Sequence, residues 1–303
     1  MATTDKILVY GASGVQGGAV ARKLLAEGHS IQAITRNKES ADQLAQQGIS
    51  VLLGDLNDPA SLAQAHEGVN KVLLLLPVDY HLERVRLYIR NVVDAAKNAN
   101  IALLVVNTSL YVPDQITDVV AIEIKRELIE YLKQSGIPTI IVQPTLYFEN
   151  FYIPGVLNNK VLAYPVPADQ AIPWISIQDT ADYAVYALNH PELAGQTLQV
   201  TGPEALTGNQ LAERFGQSLN QDIQFFSLPV ETFEEGIRPL LGEETAAGLA
   251  GLYHWIAVNS ASLPKPEHIH PALRTAVQGT SLKQWVDRAI ENGFFAEGGN
   301  TQQ

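Results

Sequence analysis

The chain has 303 residues, a formal net charge of −12 and no cysteine. The acidic balance argues against a nucleic-acid surface, which needs clustered lysine and arginine. The lack of cysteine excludes disulfides, thiolate catalysis and cysteine-bound metals. No stretch approaches the about 18 apolar residues that cross a bilayer, and no signal segment is visible. We therefore expect a cytoplasmic protein with neither a membrane nor a nucleic-acid partner.

The first stretch of the chain carries the strongest signal. An apolar run from Lys6 to Tyr10 is followed by Gly11-Ala-Ser-Gly-Val-Gln-Gly17, and a helical pattern covers residues 19–27. A strand, a glycine turn and a helix together predict a dinucleotide-phosphate site. Gly11 would allow the tight turn, and Gly14 would let the backbone approach a pyrophosphate. Gly17 would let the helix pack closely, while the helix N-terminus offers N–H donors and partial positive charge.

The end of the second predicted strand, residues 31–35, bears on which dinucleotide would bind. NAD sites place an acidic residue near this point, whereas NADP sites place a cation against the 2′-phosphate. Arg36 and Lys38 follow the strand, and the next carboxylate is Glu39. A guanidinium can meet a phosphate with two parallel hydrogen bonds. The pattern favours NADP(H) over NAD(H), with a solvated basic turn as the alternative.

The strand-helix alternation continues over the first half of the chain. The predicted strands cover residues 6–10, 31–35, 51–55, 72–76, 103–106 and 139–142. Six such units predict an α/β fold, a doubly wound parallel sheet (Rossmann fold) with its sites at the C-terminal strand ends. Asp55 and Leu56 would then lie at the adenine edge. Leu76 and Pro77 would lie close to the nicotinamide.

The alternation stops at Phe151, where prolines and irregular segments begin. We expect residues 1–150 to form the NADP(H)-binding Rossmann domain, with residues 173–202 returning to it. Residues 151–172 and 203–296 would form a smaller C-terminal substrate lobe. The last residues, 297–303, would be a disordered tail.

Several motifs in this order resemble the NmrA-like group of atypical short-chain dehydrogenase/reductases. They are residues 11–17, Thr35-Arg36, Gly54-Asp-Leu56, Lys125 before Ser135-Gly-Ile-Pro138, Gln143-Pro-Thr-Leu-Tyr-Phe-Glu-Asn150 and Thr201-Gly-Pro-Glu204. The resemblance covers about residues 5–220. This group includes quinone reductases, relatives of isoflavone reductase and NADP(H)-sensing regulators.

The resemblance and the strand-end positions together imply a set of site residues. The cofactor-binding residues would be Gly11, Ser13, Gly14, Val15, Gln16, Gly17, Arg36, Asp55, Leu56, Leu76, Pro77, Thr108, Lys125 and Tyr147. The substrate would contact Tyr80, Ser109, Phe151 and Trp174. No metal site is predicted, because His268 and His270 stand in a proline loop with no third ligand.

One departure from the wider family concerns catalysis. Its catalytic pair is Tyr-x-x-x-Lys, with both side chains on one helix face. Lys125 is present, but Ala121 stands four residues before it. The resemblance implies that Lys125 holds the nicotinamide ribose and is the catalytic residue that remains; the alternative is a solvated lysine on a charged helix face. Tyr80, Tyr111 and Tyr147 could replace the missing phenol.

The missing phenol discriminates between reactions. Reducing a simple ketone creates a basic alkoxide that needs a positioned acid, whereas a hydroquinone anion is delocalised and can be protonated by water. We therefore expect an NADPH-dependent reductase that transfers hydride directly to a quinone or a similar electron-poor small molecule. The alternative is a non-catalytic NADP(H) sensor acting through a protein partner. A third, weaker hypothesis is a reductase that acts on a ring or imine substrate. The sequence also leaves open whether the protein forms a homodimer.

Overall fold

A parallel β-sheet forms the centre of the computed structural model, which describes residues 5–295. The strands in this range are β1 Lys6–Val9, β2 Ser30–Thr35, β3 Ser50–Leu53, β4 Lys71–Leu74, β5 Leu103–Asn107, β6 Thr139–Pro144, β7 Leu146–Tyr147, β8 Leu157–Asn158, β9 Val161–Tyr164, β10 Ile172–Ile175, β11 Thr197–Val200, β12 Ala205–Leu206 and β13 Gln224–Ser227. The α-helices are α1 Val15–Ala26, α2 Lys38–Gln46, α3 Pro59–Ala65, α4 Leu82–Asn98, α5 Val120–Ser135, α6 Ile177–Asn189, α7 Gly208–Leu219, α8 Val230–Leu241, α9 Glu243–Asn259, α10 Pro271–Ala276 and α11 Leu282–Glu291. The tail predicted at residues 297–303 lies outside the described residues.

The central sheet has the strand order β11-β6-β5-β4-β1-β2-β3, and every described pairing in it is parallel. Both faces are covered by helices, as parallel sheets require. Along β1, Ile7 and Val9 face the core shared with α1 and α6, whereas Leu8 and Tyr10 face the core shared with α3 to α5. The predicted doubly wound parallel sheet is confirmed.

The remaining elements form a lobe beside the C-terminal strand ends. A small sheet of β8, β9 and β13 packs with α7, α8, α9 and α11 around an aromatic core. The carboxylate of Glu149 connects the last helix to the rest of the molecule. Glu149 accepts hydrogen bonds from Trp285 Nε1 and from the backbone N–H of Ile177, each at 3.0 Å. The predicted residue limits of the two domains stay a prediction.

Some elements differ from the sequence-based expectation. Helix α1 begins at Val15 rather than Ala19, because Gly17 and Gly18 are buried inside its first turns instead of extending the loop. A short 3₁₀ helix, Pro266–His268, lies within the proline loop expected around His268 and His270. Helices α8 and α9 were not predicted as separate elements. In α9 an alanine- and glycine-rich sequence gives little periodic contrast.

Candidate functional site

The site lies where the strand order reverses. The chain runs from β1 outward to β2 and β3, then returns to place β4 on the other side of β1. In doubly wound sheets, ligands bind in the crevice at this switch point. Gly11 follows β1 and residues 75–77 follow β4, so both segments border the crevice.

The glycine turn after β1 has the geometry that phosphate binding needs. Gly11 has φ of +71°, a conformation that favours glycine. The backbone N–H of Gly14 donates to the carbonyl oxygen of Gly11 at 2.9 Å, which closes the turn. A Cβ built on Gly17 would lie 2.3 Å from that same carbonyl oxygen. The turn and helix α1 can therefore be this close only because residue 17 has no side chain.

A cavity of about 490 Å³, here called the glycine-loop cavity, extends from this turn to the ends of β2, β3 and β4. It is lined by the predicted cofactor-binding residues Gly11, Ser13, Gly14, Val15, Gln16, Arg36, Asp55, Leu56, Leu76 and Pro77. The N-terminus of α1 has no side-chain cap, so its N–H groups face a cavity that suits an anion. The residues present thus fit a bound dinucleotide.

The far end of the glycine-loop cavity carries opposite charges. Arg36 has a side chain that is 72% exposed, and its Nη1 lies 3.8 Å from Oδ2 of Asp55. The carboxylate of Asp55 also accepts the backbone N–H of Asn57 at 2.8 Å. An exposed ion pair of this length contributes little to stability, so Arg36 is free to turn toward a ligand phosphate. Sequence reading alone had not placed a carboxylate this close to Arg36.

A second cavity of about 280 Å³, here called the lobe cavity, lies between the central sheet and helices α8 and α9. Its wall is largely apolar, and it includes Tyr80, Leu110, Tyr111, Lys125, Leu146, Tyr147, Asn150, Phe233, Ile237, Leu249, Leu252, Tyr253, Trp255 and Ile256. The three tyrosines suggested as substitutes for the missing phenol therefore all reach this cavity. Burial raises the pKa of each of them, so their phenols stay protonated at neutral pH.

The two cavities meet at four residues that line both of them, Gln16, Leu76, Val78 and Ser109. Ser109 has φ of +61°, which is uncommon for a residue with a side chain and occurs often at functional sites. Its backbone N–H donates to Asn107 Oδ1 at 2.8 Å, and this bond stabilises the turn. A ligand filling the glycine-loop cavity would contact a ligand in the lobe cavity at this junction.

Lys125 lies on α5 with 5% of its surface exposed, and it borders the lobe cavity rather than the glycine-loop cavity. Burial lowers the pKa of its ammonium group to about 8. Within residues 5–295 this ammonium group forms no hydrogen bond or ion pair, whereas the side chains of the neighbouring Glu123 and Arg126 pair with each other at 3.0 Å. The solvated-surface alternative is thus wrong. Ala121 is fully buried, so α5 offers no hydroxyl one turn before Lys125.

Four predicted site residues line neither cavity. Phe151 and Trp174, expected to contact substrate, are 1% and 0% exposed and pack against each other in the lobe core, with ring centroids 4.7 Å apart. Thr108, expected to bind cofactor, is buried, and its hydroxyl donates to the carbonyl oxygen of Leu110 at 2.7 Å. Gly17 lines neither cavity and serves the packing of α1. Aromatic and hydroxyl side chains near a strand end are suited to either role, and burial decides between them.

Other residues at the cavities were not foreseen as site residues. Asn107 lines neither cavity, but it ends β5 and donates to Gln16 Oε1 behind the wall; an asparagine after a strand also suits a simple turn. Leu249, Leu252, Tyr253 and Ile256 line the lobe cavity from α9. Their three- and four-residue spacing indicates one helix face, yet spacing cannot show which surface that face covers.

Residues 5–295 offer neither a metal-binding cluster nor a helix that could cross a membrane. No grouping of three or more potential ligands among His, Asp and Glu side chains is placed to hold a metal ion. Over the same residues, none of the helices combines the length and apolar character that a membrane crossing requires.

The parallel sheet with a glycine turn at its switch point defines a Rossmann-type α/β protein. The chain belongs to the NmrA-like family, whose model matches residues 3–278. It is 26% identical over 280 residues to the NAD(P)H azoreductase of Xenophilus azovorans, covering 90% of this chain and 92% of the relative. Quinone oxidoreductase 2 of Escherichia coli is 27% identical over 236 residues, or 77% and 81% of the two chains.

Solved structures show the same architecture. The NADPH-dependent quinone oxidoreductase of Escherichia coli, in complex with NADPH, superposes with a TM-score of 0.78 at 25% identity, covering 94% of this chain and 99% of that one. The triphenylmethane reductase of Citrobacter in complex with NADP(H) superposes with a TM-score of 0.79 at 23% identity, covering 93% and 99%. The expected family resemblance is confirmed.

Proposed function

We propose that this protein is an NADPH-dependent reductase that delivers hydride directly to a quinone or a similarly flat, electron-poor small molecule. The observation that carries the proposal is the junction of the two cavities at Gln16, Leu76, Val78 and Ser109. One cavity offers a glycine turn, a helix N-terminus and Arg36, and the other offers an apolar wall with a single lysine. Similarity to an NAD(P)H azoreductase and to an NADPH-dependent quinone oxidoreductase supports it.

The glycine-loop cavity would hold the dinucleotide. The N-terminus of α1 and the Gly11 turn would bind the pyrophosphate, and Arg36 would bind the 2′-phosphate that distinguishes NADPH from NADH. Lys125, which borders the lobe cavity, would hold the nicotinamide ribose hydroxyls of a cofactor that extends past the junction. When bound, the cofactor supplies two electrons and one hydrogen as hydride.

The lobe cavity would hold the acceptor. Its volume of about 280 Å³ is near the lower end of small-molecule sites, which suits an acceptor of one or two fused rings. The absence of a hydroxyl at Ala121 favours an acceptor whose reduced anion is delocalised. Such an anion takes its proton from water, and the protein needs only to align the reactants and exclude bulkier molecules.

The direct test follows NADPH consumption with menadione, a two-ring quinone, and compares the wild type with Lys125→Ala. Lys133→Ala is the control, because Lys133 lies on the same helix and pairs with Glu130 at the surface. We expect turnover in the wild type and the control. Loss of a charge-assisted hydrogen bond should reduce kcat/KM about 10- to 100-fold in Lys125→Ala.

The same experiment separates this proposal from the sensor alternative. Tight NADPH binding without turnover on menadione, a benzoquinone or an azo dye would refute the reductase and favour a sensor. Equal activity of Lys125→Ala and the control would show that Lys125 does not hold the nicotinamide ribose.

A further inference from the structure

The side chain of Gln16 sits at the centre of a hydrogen-bond cluster at the cavity junction. Its Oε1 accepts Asn107 Nδ2 at 3.1 Å, Ser109 Oγ at 3.1 Å and the Tyr147 hydroxyl at 3.0 Å. These donors come from the ends of β5 and β7, whereas Gln16 lies in the first turn of α1. Two segments of the chain therefore donate to one amide oxygen that belongs to a third.

This cluster fixes which end of the Gln16 amide faces the cavities. The backbone N–H of Ser109 donates to Asn107 Oδ1 at 2.8 Å, so the other end of the Asn107 amide must be the NH₂ group. The Gln16 amide atom 3.1 Å from that NH₂ must be an acceptor, so it is the oxygen and not the nitrogen. The Nε2 of Gln16 then points away from the cluster. No residue between 5 and 295 accepts a hydrogen bond from it, although Gln16 is only partly exposed.

The cluster also removes competing donors. The hydroxyl hydrogens of Ser109 and Tyr147 are both directed at Gln16 Oε1, so neither is available to a ligand while the cluster is intact. Tyr147 is 6% exposed, and burial raises the pKa of its hydroxyl, which stays protonated at neutral pH. The second hydrogen of the Asn107 NH₂ is directed at the Tyr147 hydroxyl oxygen, 3.4 Å away. Within this cluster, only the NH₂ of Gln16 has hydrogens with no acceptor among residues 5–295.

We propose that the Gln16 side-chain amide donates a hydrogen bond to the quinone carbonyl oxygen on which negative charge develops during reduction. This inference rests on the proposed reductase function and names a polarising residue for it. Gln16 lines both cavities, so its NH₂ lies where an acceptor would meet the cofactor. The backbone of Gln16 still belongs to the phosphate-binding turn.

A hydrogen-bond donor at this position would assist the reaction, and an acid is not needed. A quinone that accepts a hydride gains two electrons and one hydrogen, the dinucleotide is oxidised, and the product is a hydroquinone monoanion. One proton from water then completes the hydroquinone. An amide cannot give up a proton at neutral pH, but it can stabilise the developing charge, as the donors of an oxyanion hole do.

The test measures kcat and KM with menadione, and NADPH affinity by fluorescence titration, for the wild type, Gln16→Glu and Gln16→Met. Gln16→Glu retains an oxygen for the three donors but replaces the NH₂ with a second oxygen. Gln64→Met, at an exposed position on α3, is the control. We expect kcat to fall roughly 10- to 100-fold in both Gln16 variants, between the effect of an ordinary hydrogen bond and that of an oxyanion-hole donor. NADPH affinity of Gln16→Met should stay within about threefold, since residue 16 would serve the phosphate-binding turn through its backbone, which the substitution keeps.

A pH profile adds a signature that a structural role would not produce. When the carboxyl group of Gln16→Glu is protonated, it again offers one hydrogen, so its kcat relative to the wild type should rise as pH falls. The Gln16→Met ratio should stay flat.

Three results would overturn the inference. They are an unchanged kcat in both Gln16 variants, parallel pH profiles for the two, or a loss confined to NADPH affinity, which would make the side chain a cofactor ligand. Failure of the wild type to reduce any acceptor while binding NADPH would be a failure of the reductase proposal itself, and the Gln16 inference would fall with it.

Discussion

Replacing Gly17 with alanine should damage both the fold and the dinucleotide site. A Cβ at this position would lie 2.3 Å from the carbonyl oxygen and 2.5 Å from the carbonyl carbon of Gly11. Both are backbone atoms of a tight turn, so neither can move aside as a flexible side chain would. Reaching an ordinary contact requires the turn and helix α1 to separate by about 1 Å.

The size of the effect follows from two opposing contributions. Alanine in a helix interior gains about 1 kcal/mol over glycine in helix propensity. Forcing extra volume into a packed site costs about 1–3 kcal/mol, and a clash with backbone belongs at the upper end. Helix α1 also packs along α6, so it cannot shift without disturbing a second interface. We expect a net loss of about 2 kcal/mol in the free energy of unfolding.

The assay is urea denaturation of the wild type and Gly17→Ala, each with and without NADPH. Gly236→Ala is the matched control, because Gly236 is also helical and a Cβ there meets nothing within 4 Å. The control should be more stable by about 0.5–1 kcal/mol. Gly17→Ala should be less stable and should gain less stability from NADPH, since weaker binding reduces the linkage. A Gly17→Ala protein as stable as the control, with unchanged NADPH binding, would refute the packing argument.

Two further predictions concern charged groups. Arg36→Ala should weaken NADPH binding about 10- to 100-fold in isothermal titrations and leave NADH binding nearly unchanged, because only NADPH carries the 2′-phosphate. Equal weakening of both cofactors would show that Arg36 does not bind the 2′-phosphate. Burial raises the pKa of Glu149 from 4.5 to about 6, so its stabilising contribution is present below pH 4.5 and is lost as pH rises to about 6. Relative to Glu149→Gln, the wild type should therefore lose about 2 kcal/mol of unfolding free energy across that range, and a constant difference between the two would contradict this.

The sequence predicted features that depend on local chemistry. A glycine with positive φ at residue 11 and a helix immediately after it follow from residues within one short segment. The strands were found because a sheet buried on both faces needs continuous apolar runs such as residues 72–76. The predicted strand ends then identified most residues of the glycine-loop cavity, since a parallel sheet brings the C-terminal ends of its strands to one edge.

Features that depend on contacts between distant segments were not predicted. Lys125 stands in a charged sequence, and only the packing of α5 under α9 shows that it is buried beside a cavity. Phe151 and Trp174 have the composition of a stacking site but fill the lobe core. Composition is the same in both situations, so no pattern in one sequence could separate them.

The wall of the lobe cavity shows the physical reason most clearly. A Cβ on Gly248 would lie 2.5 Å from Cδ2 of Tyr80, so α9 approaches the Tyr80 ring only because residue 248 is glycine. That contact joins segments far apart in sequence, and it shapes the space available to an acceptor. A glycine inside an alanine-rich helix resembles a weak helix position when read alone. Its effect on substrate size can be inferred only once the fold has placed Tyr80 against it.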